Sequence, residues 1–303
     1  MNLLMPPEMP LWISKMLPDN NIRYCQDVGK GQTMHVMESG QGFPVLMLHG
    51  NPTWGILYRR IMKRLTGEDI RCIAPDLIGL GFSSKPGAVS QHTLENHARW
   101  IGSLIDSLDV EGLVFVGQDW GGPIGLRALA DRAHLLKGLV VLNTAIAPPK
   151  PGFKPTLFHK FSQMPIVSNI VFRWFGFPQN ILHKTQGNPD SISGNTARAY
   201  RYPLRKFRDN IAPLALARMV PNSMTHPTVV PLRKCQALAE SFKGPAEIVW
   251  GDKDPIFGRV FKKVHAMLPD AGVTRTQAGH FLQEEVPDEI AAAIRKVVFS
   301  VNE

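Results

Sequence analysis

The 303-residue sequence predicts an α/β protein: a mostly parallel sheet flanked by helices, with an inserted helical cap. Three observations carry that expectation. Short apolar runs, such as Pro44–Leu48, Ile70–Pro75 and Leu113–Val116, alternate with segments of helical period. These runs are nearly continuous in apolar character, as strands buried on both faces must be. Between Ile146 and about Thr228 the alternation stops, and the segment reads as helix and loop alone.

In chain order, Ile22–Val28 and Thr33–Glu38 alternate enough to form two opening strands, joined by the turn Gly29-Lys30-Gly31. Pro44–Leu48 is the next strand and leads into His49-Gly50-Asn51-Pro52-Thr53-Trp54. A helix is predicted over Leu57–Leu65. Ile70–Pro75 is a buried strand ending in Asp76-Leu77-Ile78-Gly79 and running on to Ser83-Ser84-Lys85-Pro86. Leu94–Leu108 has strong helical period. Leu113–Val116 is a strand, Pro123–Ala130 a helix, and Leu139–Leu142 a strand running into Asn143. Pro148, Pro149, Pro151 and Pro155 then interrupt the chain, and helical character returns around Ile166–Phe175, Ser193–Tyr200 and Leu204–Leu214. We expect residues 1–145 and 229–303 to form the core, with residues 146–228 as the cap, inserted after the sixth expected strand. Leu232–Phe242 leads back as a helix. Ala246–Trp250 and Gly272–Thr276 are strands, with helices over Arg259–Leu268 and Pro287–Phe299.

Composition limits the class of function. Hydrophobic content of 44% supports a large core. Cys25, Cys72 and Cys235 are far apart and odd in number, and there is no CxxC or Cys/His cluster, so neither a disulfide framework nor a metal site is expected. That pattern fits a reducing cytoplasm. Met1–Asn20 has four prolines and no basic leader, unlike a signal peptide. No apolar run approaches the ~20 residues needed to span a bilayer. The net charge of +9 is unevenly placed: Ile146–Val230 holds eleven Lys/Arg and two Asp/Glu, leaving 34 − 11 = 23 basic and 25 − 2 = 23 acidic residues elsewhere. A solvated basic face and an anionic partner both fit this bias, but no aromatic-interleaved nucleic-acid motif accompanies it.

Ligands on parallel sheets bind beyond the carboxyl ends of the strands, where His49–Trp54, Asp76–Ser84, Asp119 and Asn143 all fall. Gly117-Gln118-Asp119-Trp120-Gly121 sits between a strand and a helix, with small residues two positions either side of Asp119. That is the pattern of a nucleophile elbow with aspartate in place of the usual serine. A carboxylate there, beside an indole, fits attack on an alkyl carbon; helix capping by Asp119 is the plainer alternative. An elbow nucleophile needs an acid and then a histidine later in the chain. Asp254 follows a long strand and His280 lies in the loop after the last strand, so Asp119, Asp254 and His280 fall in that order. Asp252 competes for the acid but reads as a turn residue. Glu284 and Glu285 read as the acidic start of the closing helix.

His49-Gly-Asn-Pro-Thr-Trp, Asp76-Leu-Ile-Gly-Leu-Gly-Phe-Ser-Ser-Lys-Pro, Gly117-Gln-Asp-Trp-Gly-Gly and Gly279-His-Phe-Leu-Gln-Glu-Glu together resemble the haloalkane dehalogenases of the α/β-hydrolase fold. Tyr200-Arg-Tyr-Pro-Leu extends the likeness into the cap. The resemblance implies displacement of halide by Asp119 to give an alkyl-enzyme ester, then hydrolysis by water activated by His280, with Asp254 orienting His280. It implies a halogenated alkane and water as partners, a halide ion as product, and no metal or organic cofactor. A leaving halide needs neutral N–H donors, which the Trp120 indole and the Asn51 amide can supply. The backbone N–H groups of Asn51 and Trp120 would form the oxyanion hole. Leu142-Asn143-Thr144-Ala145 lacks the glutamate of one subgroup, so the chain resembles the subgroup with an Asp acid and an Asn/Trp halide pair. Trp174 is the alternative second donor, set against a packing role in the cap.

An epoxide hydrolase would use the same triad but needs cap tyrosines, here Tyr200 and Tyr202. A coelenterazine-type luciferase resembles the Asp/Asn/Trp set but carries the Glu acid missing here. A non-catalytic binding protein of this fold would have no need of all five groups. Oligomeric state is left open, with the basic cap a candidate contact between copies.

Overall fold

In a computed structural model, residues 3–150, 152–154 and 157–302 are described. The strands are β1 (Leu3–Leu4), β2 (Ile22–Asp27), β3 (Thr33–Ser39), β4 (Phe43–Leu48), β5 (Ile70–Pro75), β6 (Leu113–Gln118), β7 (Leu136–Leu142), β8 (Ala246–Gly251) and β9 (Gly272–Thr276). They form one nine-stranded sheet in the order β1-β2-β3-β5-β4-β6-β7-β8-β9. The pairings from β1 to β3 and on to β5 are antiparallel; all others, from β5 through β9, are parallel.

The core helices are α1 (Leu11–Ser14), α2 (Arg59–Leu65), α3 (Leu94–Ser107) and α4 (Gly121–Ala130). After β7 come α5 (Leu157–Gln163), α6 (Pro165–Arg173), α7 (Gly194–Arg201) and α8 (Ile211–Met219), and then α9 (Val229–Ser241), α10 (Phe261–Met267) and α11 (Pro287–Asn302). Successive strand residues point to opposite faces, and both faces are apolar. On β6, Leu113 and Phe115 join a core with α3, α4 and α9, while Val114 and Val116 join a second core with α2 and α11. This two-sided burial is why the parallel strands read as continuous apolar runs.

The structure departs from the sequence reading in places. Leu3–Leu4 pairs with β2 as a strand too short to carry a periodic signal, so the expected sixth strand is β7. The turn Gly55–Tyr58 is a 3-10 helix that precedes α2. The helix expected over Leu204–Leu214 is instead a 3-10 turn at Phe207–Asn210 followed by α8. Pro213 explains the shift. It lies in the first turn of α8, where a missing N–H costs nothing, whereas the last turn of a helix would have lost a hydrogen bond. α5 lies where the sequence shows only proline interruptions, and Pro151 and Pro155 lie outside the described residues. Between β7 and α9 the described residues hold helices and turns but no strand.

Candidate active site

The site lies along the carboxyl ends of the parallel strands. Asp119 follows β6 directly and takes a left-handed φ of 49°, uncommon for a residue with a side chain. Its main chain is held on every side. Asp119 N donates to the Asn143 carbonyl at 3.0 Å, and the Asp119 carbonyl accepts from Gly122 N at 3.2 Å and Thr144 Oγ1 at 2.6 Å. The following turn passes so close to β4 that a Cβ on Gly121 would lie 2.1 Å from the Leu48 carbonyl oxygen. Only glycine allows that approach. The residue at the N-cap of α4 is Trp120, and the Asp119 carboxylate accepts a hydrogen bond from Asn51 N in another loop, so Asp119 is not the helix cap.

The Asp119 carboxylate accepts from Asn51 N through Oδ1 at 2.7 Å. Asn51 sits in the loop after β4, and a Cβ on the preceding Gly50 would collide with the Asp119 side chain. Burial pushes the Asp119 carboxyl above its usual range, against the pull of His280 and the backbone N–H groups of Trp120 and Asn51.

His280, in the loop after β9, is buried with Nε2 3.7 Å from Asp119 Oδ2 and Nδ1 3.0 Å from Asp254 Oδ2. Asp254, after β8, also accepts from Asn143 Nδ2 at 2.8 Å and Ile256 N at 2.7 Å. Burial opposes ionisation of Asp254, but the His280 imidazole and these hydrogen bonds hold its carboxyl below the usual range. Burial likewise opposes charge on His280, yet Asp254 and then Asp119 raise it above 6.5. Asp252 points away, paired with Arg275 at the surface.

The two residues whose main-chain N–H groups engage Asp119, Asn51 and Trp120, also carry side-chain N–H donors. Among the described residues the Trp120 indole N–H has no hydrogen-bond partner. The Asn51 amide donates from Nδ2 to the Pro213 carbonyl of α8 at 3.0 Å, which leaves its second N–H. Trp174 is neither a donor here nor a core aromatic: it is exposed, with its ring 4.9 Å from Phe207. The hydroxyl of Tyr200 donates to Glu284, and the Tyr202 ring packs against Trp12 and Phe82 under Arg205. No group of three or more His, Cys, Asp or Glu among the described residues could hold a metal ion.

Glu284 and Glu285 do not start the closing helix, which begins at Pro287. Glu284 is buried, bonded by Arg59 at 2.5 and 2.9 Å, by Arg60 at 3.2 Å and by Tyr200. The helix-dipole argument fails because these cations, distant in sequence, offer the carboxylate more than a helix end does. Glu285 accepts from Gly187 N, Asn188 N and Gly279 N.

Several groups that hold the site were not singled out from the sequence. Asn143 reads from the sequence as a residue at the ligand-binding end of the sheet with no charge to serve as the acid; the structure shows that it fastens Asp254. Gln118 Nε2 donates to the His280 carbonyl at 3.0 Å. The segment Thr185–Asn188 grips the histidine loop: His280 N donates to the Thr185 carbonyl at 2.8 Å, and Phe281 N to Gln186 Oε1 at 2.9 Å. Nothing local in the sequence marks Gln186, which meets Phe281 across 95 residues.

Comparison with known proteins identifies the family. The profile of the alpha/beta hydrolase family matches residues 45–293. Haloalkane dehalogenase 2 of Mycobacterium tuberculosis is 32% identical over 271 residues, covering 88% of this chain and 92% of that protein. The chain belongs to the haloalkane dehalogenase family. The haloalkane dehalogenase of Mycobacterium marinum is 30% identical, covering 86% of this chain and 87% of its own length. Among solved structures, haloalkane dehalogenase DbeA from Bradyrhizobium elkani superposes with a TM-score of 0.82 at 27% identity, covering 93% of this chain and 99% of that one. The epoxide hydrolase CorEH shares the fold, with a TM-score of 0.74 at 18% identity over 92% of this chain and 99% of that one.

Proposed function

We propose that this haloalkane dehalogenase family member hydrolyses haloalkanes to an alcohol, a halide ion and a proton, with Asp119 as nucleophile, His280 as base and Asp254 as its orienting acid. The observation that carries the reading is the buried Asp119 carboxylate on a positive-φ elbow, 3.7 Å from an imidazole that is itself held by Asp254. Oδ1 is engaged by Asn51 N, so Oδ2 is the attacking atom. It forms a bond to the sp3 carbon as the carbon–halogen bond breaks, and the electron pair leaves with the halide. The Trp120 indole and the second N–H of Asn51 stabilise that anion. His280 Nε2 then takes a proton from water, and the hydroxide adds to the ester carbonyl carbon. Oδ1 becomes the oxyanion, beside the N–H groups of Asn51 and Trp120. Collapse expels the alcohol and restores the carboxylate, with one proton released overall. Asp254 stabilises the imidazolium formed on the way.

With Asp254 as the acid and Asn51 and Trp120 as halide donors, this reading assigns the chain to the subgroup with an Asp acid and an Asn/Trp halide pair. Residues 146–228 act as the cap over this site, and the remainder as the core. An epoxide hydrolase reading is disfavoured because the Tyr200 hydroxyl is committed to buried Glu284. The three free, buried cysteines support a cytoplasmic location.

The test is halide release from a 1-bromoalkane with mass spectrometry of the enzyme. We expect Asp119→Ala to abolish release and Asp252→Ala to retain most of it. His280→Phe should release about one halide per enzyme and keep an alkyl adduct on the peptide containing Asp119. Equal loss from both aspartate variants, or an unmodified peptide in His280→Phe, would sink the assignment.

A further inference from the structure

The helical insertion turns an apolar face outward. α6 buries Ser168 and Phe172, yet Ile166, Ile170 and Trp174, spaced four residues apart, are 75%, 42% and 72% exposed. That spacing puts them on one stripe of the helix. Val167 lies beside the stripe, Phe175 follows it at 69% exposure, and Leu157 of α5 is 83% exposed. The Phe207 ring, against Trp174, extends it. Scattered exposed apolar residues need no explanation, but a helical stripe of large ones marks a surface that something covers.

Charge selects the occupant. The eleven Lys/Arg and two Asp/Glu of Ile146–Val230 carry the entire net charge of the chain. A cation touches the stripe, the Arg173 guanidinium lying 3.8 Å from the centre of the Phe207 ring; Arg208 follows that ring in sequence, Lys160 is exposed on α5 and Lys154 is exposed ahead of α5. Asp209 is turned back to the Lys206 N–H. A second copy paired symmetrically on this face would set +9 against +9. An anionic lipid surface is complementary in both respects, with its acyl boundary taking the apolar side chains and its headgroup phosphates the Lys and Arg.

We propose that the outer face of α6, with Leu157 and Phe207, docks peripherally on an anionic lipid surface. No helix among the described residues is long and apolar enough to cross a membrane, so the contact is interfacial. Its position bears on substrate supply. α5 and α6 pack on α8, whose Pro213 carbonyl accepts from Asn51 beside Asp119. The docking face is thus the outer side of the layer covering the site, next to a phase in which small apolar molecules concentrate.

Cosedimentation of the full chain with phosphatidylglycerol–phosphatidylcholine vesicles, against phosphatidylcholine alone, tests this. We expect binding to the anionic vesicles, weakened by salt, and a blue-shifted fluorescence component absent from Trp174→Phe. The triple variant Ile166→Ser/Ile170→Ser/Trp174→Ser should lose the binding. Lys154→Glu/Lys160→Glu, which changes only exposed groups and keeps the fold, should weaken it about tenfold or more. Equal affinity for neutral vesicles, no binding by the unmodified protein, or an unaltered affinity in the charge-reversed variant overturns the proposal. Self-association that the triple variant abolishes, without vesicle binding, assigns the face to a second copy instead.

Discussion

Replacing Asn51 by alanine separates two uses of one side chain. The backbone N–H to Asp119 Oδ1, at 2.7 Å, survives the substitution. The side-chain bond to the Pro213 carbonyl, at 3.0 Å, does not, and a hydrogen bond of that kind contributes about 1 kcal/mol. In a protein of this size that lowers Tm by roughly 1–2 °C. The second amide N–H faces a different loss. If it stabilises the departing halide, carbon–halogen cleavage slows by about 10²–10³, the ~3–4 kcal/mol typical of one preorganised donor at a developing anion. Hydrolysis of an ester already formed should change little, because the oxyanion donors are main-chain groups. Single-turnover mixing with a bromoalkane resolves the steps: the halide burst reports cleavage, and decay of the alkyl adduct reports hydrolysis. Trp174→Phe is the control and should leave both rates alone, since the ring is on the surface. A normal burst with only the drop in Tm would mean that Asn51 ties α8 to the core and takes no part in halide release. A large defect in Trp174→Phe would place the second donor elsewhere and refute the subgroup assignment.

Hydrolysis requires neutral His280, whose pKa is raised above 6.5 with Asp254 and Asp119 both contributing. Protonation removes the base, so adduct decay should slow as pH falls through that pKa. In the ester Asp119 is uncharged, so the acid limb of hydrolysis should lie at lower pH than the His280 titration followed by NMR in the free enzyme. An acid limb at higher pH would contradict the charge arrangement. Gln186→Leu removes the side-chain grip on Phe281 and should slow hydrolysis about ten- to a hundredfold while leaving the halide burst intact. Equal loss in both steps would reveal general disruption rather than mispositioning of His280. Glu284→Gln leaves the buried Arg59 guanidinium without its carboxylate and should cost about 3–5 kcal/mol in urea unfolding. A loss below about 1 kcal/mol would show that Arg59 finds another partner or water.

The sequence by itself determined what is local. Continuous apolar runs marked the parallel strands because both faces of that sheet are covered, and Gly117-Gln-Asp-Trp-Gly marked the elbow because its turn has room only for small neighbours. The order Asp119, Asp254, His280 pointed to one sheet edge because each follows a strand of a sheet whose directions were already readable. The tertiary structure decided what depends on distant partners. Whether Glu284 faced a helix end or a cation could not be read locally, since Arg59 lies 225 residues away. Asn143 and Gln186 gained their positions the same way, through contacts across 111 and 95 residues. The start of α8 depended on where Pro213 could be tolerated. The sequence marks Ile166–Phe175 as helical but not which of its apolar residues face the protein. That was settled by α8 packing on the Phe172 side, leaving Ile166, Ile170 and Trp174 to the solvent.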